Sequence, residues 1–583
     1  MSLHISSGLP GAREPSRARI AVLGTPTAPV TEWTEASLRE LVELGFTGVQ
    51  LNIAWSYRPA DEPLNLEDVW GDDERVAARL RLIGSRAALA KRLGLRTLFH
   101  FGAPFQGRAG FGGDSLPQCV ADPTVLQSYA RRVAEFGAAM PDIDDLLIYT
   151  YDQDAWLCSE FDTCPRCTGV PLHDRVSTFV NAVAAGWREY HPAGRTWWEP
   201  WELSAGQTLS ALPLLDAATV GLMVHSNVGE VISTMPADLF VRTVSETCSR
   251  LAMPVIAEVF LSSCNEEVEP WLELPTPLVT IAQLRAVEAV RGVVGVKEYF
   301  GVRPGEIDVN LAAAAEYFAD PSRNDAELLG AVYARSGLDE PALCEFWAQA
   351  SRAYQVLPWD ASWFVRQLGR SRVDHELTAA TVRGTQSAAS AWETPAWRST
   401  RAATFMRVDD SEPHVWLLED VGLRFGLAAD AMDAAICSLC EGRDTRAWCD
   451  AILRQLSEAI GFATRCRAYA LHVRETILAG LLRRDTLDDE RRAELLDELG
   501  RVLRADAANQ RRELARRAES NWTPAAGSPL QRQERWVVPD TMSTQEIDDA
   551  IALFESDHDA FLGRFFHRTP AVAAKGQFSL TSR

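Results

Sequence analysis

The sequence predicts a (β/α)8 TIM barrel followed by a mostly α-helical C-terminal region, and three observations carry that reading. Short β-branched runs alternate with amphipathic helical stretches from residue 20 to about residue 302. Eight such runs can be counted, the number that a closed barrel of parallel strands requires. Beyond about residue 305 the period-2 pattern stops and only helical periodicity continues.

Residues 1–19 are polar, with scattered Pro and Arg and no apolar run of the kind a secretory signal needs, so they read as an N-terminal extension. The predicted strands are 20–24, 48–54, 96–101, 146–151, 196–201, 220–225, 255–261 and 293–299. Between them, 35–44, 75–93, 125–140 and 176–190 repeat apolar residues three and four apart, as helices covering one face of a sheet do. Strands separated by helices pair in parallel through right-handed crossovers. The barrel is therefore placed at 20–320, a helical and extended connecting region at 321–420, and an α-helical domain at 421–583.

In the second half, helical patterns run through 325–336, 340–354 and 362–368, then 423–439, 445–460, 462–482, 488–520 and 544–566. The stretch 413–421 follows a polar segment and reads as an extended linker. Alternating charge along 488–520 suggests a solvated helix or hairpin. Cys437 and Cys440 fall in a helical pattern and are expected as small buried hydrophobes.

Composition narrows the function. The 583 residues exceed what one core supports, while 47 % hydrophobic and 9 % aromatic content allows folding nearly throughout. A net charge of -22, from 80 acidic against 58 basic residues, disfavours nucleic acid and anionic membranes as partners. No apolar run is long enough to span a bilayer, and the odd count of 11 cysteines suits reduced thiols, so a soluble cytoplasmic protein is expected, with a homo-oligomer left open.

In such a barrel the chemistry comes from the C-terminal ends of the strands. Those ends carry Asn52 and Trp55, His100, Asp152, Asp154 and Trp156, Glu199, Trp201 and Glu202, His225, Glu258, and Lys297, Glu298 and Tyr299. Two carboxyl groups flanking a glycosidic bond suffice to hydrolyse it, one protonating the leaving oxygen and the other attacking or activating water. Asp152 and Asp154 share a side of an extended backbone, which can raise one of them into the acid role. Glu258 and Glu298 interrupt apolar strands, where a carboxylate is costly unless it faces a polar cavity or a buried cation. Trp55, Trp156 and Trp201 offer flat faces for pyranose rings, and Asn52, His100, Glu199, Glu202, His225, Lys297 and Tyr299 offer polar groups for the hydroxyls. Adjacent Trp197 and Trp198 face opposite ways, so at least one of them only closes the barrel.

Cys158, Cys164 and Cys167 follow strand four with a Cys-x5-Cys-x2-Cys spacing compatible with three thiolate ligands of a structural zinc. The sequence shows no obvious fourth ligand, His173 being the nearest candidate, and loop thiols are the plainer reading.

The segment Tyr149-Thr150-Tyr151-Asp152-Gln153-Asp154-Ala155-Trp156-Leu157-Cys158 with Cys164-Pro165-Arg166-Cys167 resembles the strand-four segment of bacterial glycoside-hydrolase-like proteins that carry a Cys-rich loop. The succession of barrel and helical region is also similar to the α-glucuronidases and, more loosely, the β-hexosaminidases. β-Hexosaminidases carry an adjacent Asp-Glu pair after strand four, where this chain has Asp152-Gln153-Asp154, so their substrate-assisted mechanism is not implied. Barrel glycosidases of the large retaining clan carry Glu after strands four and seven, and Glu258 matches the second of these positions.

The expectation is thus a glycosidase acting on a small oligosaccharide or glycoside, with the acid among Asp152 and Asp154 and its partner among Glu258 and Glu298, and with no required cofactor. Two alternatives stand beside it. One is a divalent-metal sugar isomerase or epimerase using Glu199, His225, Glu258 and Glu298; the other is a non-catalytic sugar-binding barrel.

Overall fold

The structure is a computed structural model that describes residues 17–24, 30, 33–52, 66–102, 119–149, 166–167, 169–200, 203, 205–225, 239–265, 268, 271–358, 412–482, 487–520 and 544–565. Its eight strands are β1 (Ala18–Val22), β2 (Gly48–Gln50), β3 (Arg96–Gly102), β4 (Asp145–Tyr149), β5 (Thr196–Glu199), β6 (Val220–Val224), β7 (Val255–Val259) and β8 (Val293–Glu298). Each pairs in parallel with the next, and β8 returns to β1 to close the barrel. Every predicted strand is present, with ends shifted by a few residues.

The crossover helices are α1 (Glu35–Glu43), α2 (Glu74–Arg92), α3 (Pro123–Ala139), α4 (Leu172–Tyr190), α5 (Ala205–Ala211), α6 (Leu239–Arg250), α7 (Pro277–Glu288) and α8 (Val309–Ala319). Several begin where a short side chain accepts from the first turn: Thr34 from Ser37 N, Asp73 from Val76 N, Asp122 from Thr124 N and Asp308 from Leu311 N. Strand residues facing the helices, such as Val49, Phe99, Leu146, Trp198, Val224, Ala257 and Val296, join the main core with the buried helix faces.

The chain continues through α9 (Asp325–Ser336), α10 (Leu343–Gln355), α11 (Glu412–Cys440), α12 (Asp450–Leu482), α13 (Asp489–Ser520), α14 (Thr544–Ser556) and α15 (His558–Phe565). Four expectations change here. The extended linker at 413–421 is instead the start of α11; a proline in the second position of a helix loses no intrahelical hydrogen bond, so Pro413 does not prevent it. The predicted helices 445–460 and 462–482 are largely one helix, α12, because Gly461 costs too little to break it and leaves room for Trp271, whose ring would lie 3.1 Å from an added Cβ. Nor is α13 solvated all round: Leu495, Leu499 and Ala507 are buried, as are Asp506, Asn509, Gln510 and Glu513. Cys437 is exposed and Cys440 half-buried, against the expectation of burial. The predicted helix at 362–368 lies outside the described residues.

The helical region is fastened to the barrel through the segment after β7. Trp271 and Phe462 pack ring against ring, and Trp347 Nε1 donates to Gln455 Oε1 at 2.8 Å. The Glu458 carboxylate accepts from the backbone N–H groups of Leu272 (3.0 Å) and Glu273 (2.6 Å). Among the described residues no helix is long and apolar enough to cross a membrane.

Candidate active site

Strand alternation assigns the inward positions. Ile20, Leu98, Leu147, Trp197, Met223 and Ile256 form an apolar layer inside the barrel. One strand step of two residues further on, side chains return to the same face. The register then sets Asn52, His100, Tyr149, Glu199, His225, Glu258 and Lys297 around the interior toward the C-terminal ends, with Gln50 beside Leu98. Below them the barrel is plugged with hydrocarbon, and they stand at the C-terminal ends of the strands, the end at which barrels of this kind meet their ligands.

The electrostatic centre of the ring is an ion pair. Glu258 and Lys297 are register partners on β7 and β8, and Lys297 Nζ lies 2.7 Å from Glu258 Oε1, with exposures of 0 % and 3 %. Glu258 Oε2 has no hydrogen-bond partner. Neither ring nitrogen of His100 has one, nor has Gln50 Oε1, although Gln50 Nε2 donates to the Asn52 carbonyl at 2.7 Å. The His100 ring tilts against Tyr149, 5.1 Å between centroids. Burial, and then the Lys297 charge, holds the His100 imidazole well below its ordinary pKa, so at neutral pH it is an uncharged ring able to donate from one nitrogen and accept at the other. A buried polar atom left without a partner costs about 1–3 kcal/mol. Several on one inward face are accounted for if an incoming polar ligand satisfies them.

Other predicted residues are put to different use. Glu298 stands beside Val259 in the ladder and on the face of β8 that carries Val296, toward the helix layer and away from Lys297. Its Oε2 accepts from Leu261 N (2.6 Å) and its Oε1 from Phe300 N (2.9 Å) and Gly301 N (3.0 Å). Burial pushes its carboxyl up to about 7, opposed by those three N–H groups. The expectation of a catalytic Glu298 is corrected on this ground: the side chain organises the backbone beyond β7 and β8. Asn52 exchanges both amide atoms with the His100 backbone, at 2.7 and 2.9 Å, and so ties β2 to β3. Tyr299 is buried, edge-on to Phe260, with Lys297 Nζ 5.8 Å from its ring centre. Trp197 belongs to the apolar plug and Trp198 to the outer core, as opposite faces of one strand require.

Asp152, Asp154, Trp55, Trp156, Trp201, Glu202, Cys158 and Cys164 lie outside the described residues. Among the described residues no three His, Cys, Asp or Glu side chains gather as a metal site, and Glu258 is committed to Lys297. The set Glu199, His225, Glu258 and Glu298 is thus not assembled for a divalent cation. Cys167 does meet a second thiol, Cys119, at 3.2 Å between sulfurs.

Gln50 and Tyr149 are ring members that the sequence reading did not select. The signal for them was present, since each lies two residues from another inward position on its strand.

No protein-family model matches the chain, and no curated protein matches its sequence. Among solved structures, the chain is similar to a GH138 enzyme targeting pectin rhamnogalacturonan II, with a TM-score of 0.56 and 13 % identity over 95 % of this chain and 84 % of that one. A family 5 xyloglucanase from Paenibacillus pabuli aligns over 49 % of this chain and 90 % of its own, with TM-score 0.34 and 10 % identity. An exo-β-1,4-mannosidase from Opitutaceae bacterium strain TAV5 aligns over 59 % and 68 %, with TM-score 0.33 and 16 % identity. At 13 % identity the likeness to the GH138 enzyme is one of overall fold alone, and the narrower resemblance to α-glucuronidases is not shown.

Proposed function

We propose that the protein is a glycoside hydrolase in which Glu258 acts as the charged carboxylate, nucleophile or base, and Asp152 or Asp154 as the acid. The observation that carries this reading is the Lys297–Glu258 ion pair inside the polar ring, with one Glu258 oxygen bound and the other without a partner. A carboxylate held by an ammonium is placed to attack or to activate water, and glycoside hydrolysis needs a second carboxyl across the bond to protonate the leaving oxygen. The stretch after β4 carries Asp152 and Asp154, which lie outside the described residues and enter on their sequence position beyond the C-terminal end of a barrel strand. Glu199, Glu202 and His225 would orient hydroxyls or water. His100 and Gln50 supply further hydrogen bonds.

The proposed substrate is a small glycoside or oligosaccharide met in the cytoplasm. Pectic oligosaccharides deserve a place among those tried, because the GH138 enzyme of similar fold targets pectin rhamnogalacturonan II. The test is a panel of chromogenic glycosides and pectic fragments assayed with the wild type, Glu258→Gln and Asp154→Asn. Turnover by the wild type and a loss of roughly 10²–10⁴-fold or more in Glu258→Gln is expected. Turnover that survives Glu258→Gln undiminished overturns the assignment, and an inert wild type across the panel overturns the hydrolase reading.

A further inference from the structure

Two cysteines meet where neighbouring crossover helices begin. Cys119 lies just before α3 and Cys167 just before α4, 48 residues apart in sequence. Their sulfurs are 3.2 Å apart, both residues are buried, and Ala121 packs against them. Each opens a tight turn, its carbonyl accepting from Asp122 N (2.9 Å) or Val170 N (3.0 Å), which fixes the backbone that carries each thiol. A second contact draws the same two places together, since Arg166 Nη2 reaches Asp122 Oδ2 at 2.9 Å. Behind them α3 and α4 pack side by side, with Tyr129 edge-on to Phe179.

Packing alone asks only for two small apolar side chains at such a place; what two thiols add is a bond. We propose that Cys119 and Cys167 form a reversible disulfide that clamps the start of α3 to the start of α4. The structure holds the pair as thiols, the reduced state of this clamp. To bond, the sulfurs close by about 1 Å, to the roughly 2.0 Å of a disulfide. The oxidant is a small-molecule disulfide of the glutathione class. One cysteine thiolate attacks it and releases one glutathione thiolate, and the second cysteine then displaces the glutathione left on the first. Two cysteine thiols thereby become one disulfide, the glutathione disulfide is reduced by two electrons to two thiols, and the cysteine protons pass to the released thiolates. Since the second thiol is already held in contact, its attack outpaces that of a thiol arriving from solvent. Burial then shields the bond from small thiols. The clamp does not depend on the hydrolytic reading, and its test measures no turnover.

The experiment equilibrates the purified full-length protein with oxidised glutathione, alkylates the remaining thiols and maps the peptides without reduction. A cross-linked peptide joining Cys119 to Cys167 in most chains, and its loss on treatment with dithiothreitol, is expected. The thermal unfolding midpoint of the oxidised protein should lie about 2 °C or more above that of the reduced protein, because a bond closing a loop of this length constrains the unfolded chain. Cys119→Ala/Cys167→Ala should lose both the cross-link and the redox-dependent shift, whereas Cys248→Ala, at a buried thiol on α6, should keep both. If the double variant does not fold, the peptide map and the two midpoints of the wild type decide the matter by themselves. Alkylation of both Cys119 and Cys167 after equilibration, a bond from Cys119 to any other cysteine, glutathione left on either residue without the cross-link, or an oxidised midpoint no higher than the reduced one overturns the proposal.

Discussion

Lys297 and Glu258 are neighbours in the ladder of the last two strands, and their charges meet at 2.7 Å with both side chains buried. A pair of this kind adds little net stability, because desolvation of both ions offsets their attraction, whereas removing one partner strands the other. Its place inside the polar ring is therefore better explained by what the ring does than by what the fold needs.

Lys297→Met should accordingly destabilise the protein by about 3–5 kcal/mol, since it leaves the Glu258 charge buried and unpaired. The double variant Glu258→Gln/Lys297→Met should regain most of that loss while remaining inactive. Urea unfolding of the single and double variants measures this. If the double variant is no more stable than Lys297→Met alone, the two groups are not energetically coupled.

His100 carries two buried ring nitrogens without partners. His100→Phe removes that deficit, so stability at neutral pH should hold or rise slightly, while KM for a responsive substrate rises by up to about tenfold for a lost hydrogen bond. The pH dependence has a definite sign. With the folded pKa well below the ordinary 6.5, the unfolded chain takes up the proton first, so stability falls as pH drops below 6.5. Between pH 7 and pH 5 the wild type should therefore lose more stability, or gain less, than His100→Phe, and an identical signed change in the two proteins would refute the buried neutral imidazole.

Most of the fold could be read from the sequence because a parallel barrel repeats one local signal: a β-branched run, a turn and an amphipathic helix. The inward ring could be read in part, since period-2 alternation groups Gln50 with Asn52 and Glu199 with Trp197 once a single inward residue is known. The partners of the acids could not. Glu258 and Glu298 look alike in sequence, each an acid in an apolar strand, and only the β7–β8 register distinguishes the one facing Lys297 from the one binding backbone N–H groups. Cys119 was missed for a similar reason: no local pattern links it to a thiol two elements later.

Barrel closure depends on a position without a side chain. A Cβ at Gly295 would lie 2.2 Å from the Ala18 carbonyl oxygen and 2.6 Å from the Ala18 Cβ, where β8 meets β1. Backbone in a ladder cannot yield as a flexible side chain can, so Gly295→Ala should cost about 1–3 kcal/mol or more. Gly330→Ala, on α9 with open space around its Cβ, should instead stabilise by about 0.5–1 kcal/mol. Thermal unfolding of the two variants tests the contrast, and similar shifts for both would remove the steric account.

The join between barrel and helical region should weaken as pH rises. Burial pushes the Glu458 carboxyl up to about 8, against an ordinary value of 4.5, while its two oxygens hold Leu272 N and Glu273 N. Burial likewise raises Glu298 and Asp506 to about 7. A folded state that keeps protons the unfolded chain has already released has its full stability below pH 4.5 and loses it progressively as pH rises through the folded values. Between pH 7 and 8.5 the remaining slope belongs mainly to Glu458, the group with the highest folded value among these three carboxyls. Glu458→Gln keeps one acceptor oxygen and exposes the other N–H to a non-accepting amide, so it should be less stable by about 1–3 kcal/mol at pH 6 but flatter from pH 7 to 8.5. Denaturant titrations at three pH values distinguish the outcomes: an unchanged slope in the variant would mean that the carboxyl joining α12 to the segment after β7 does not titrate in this range.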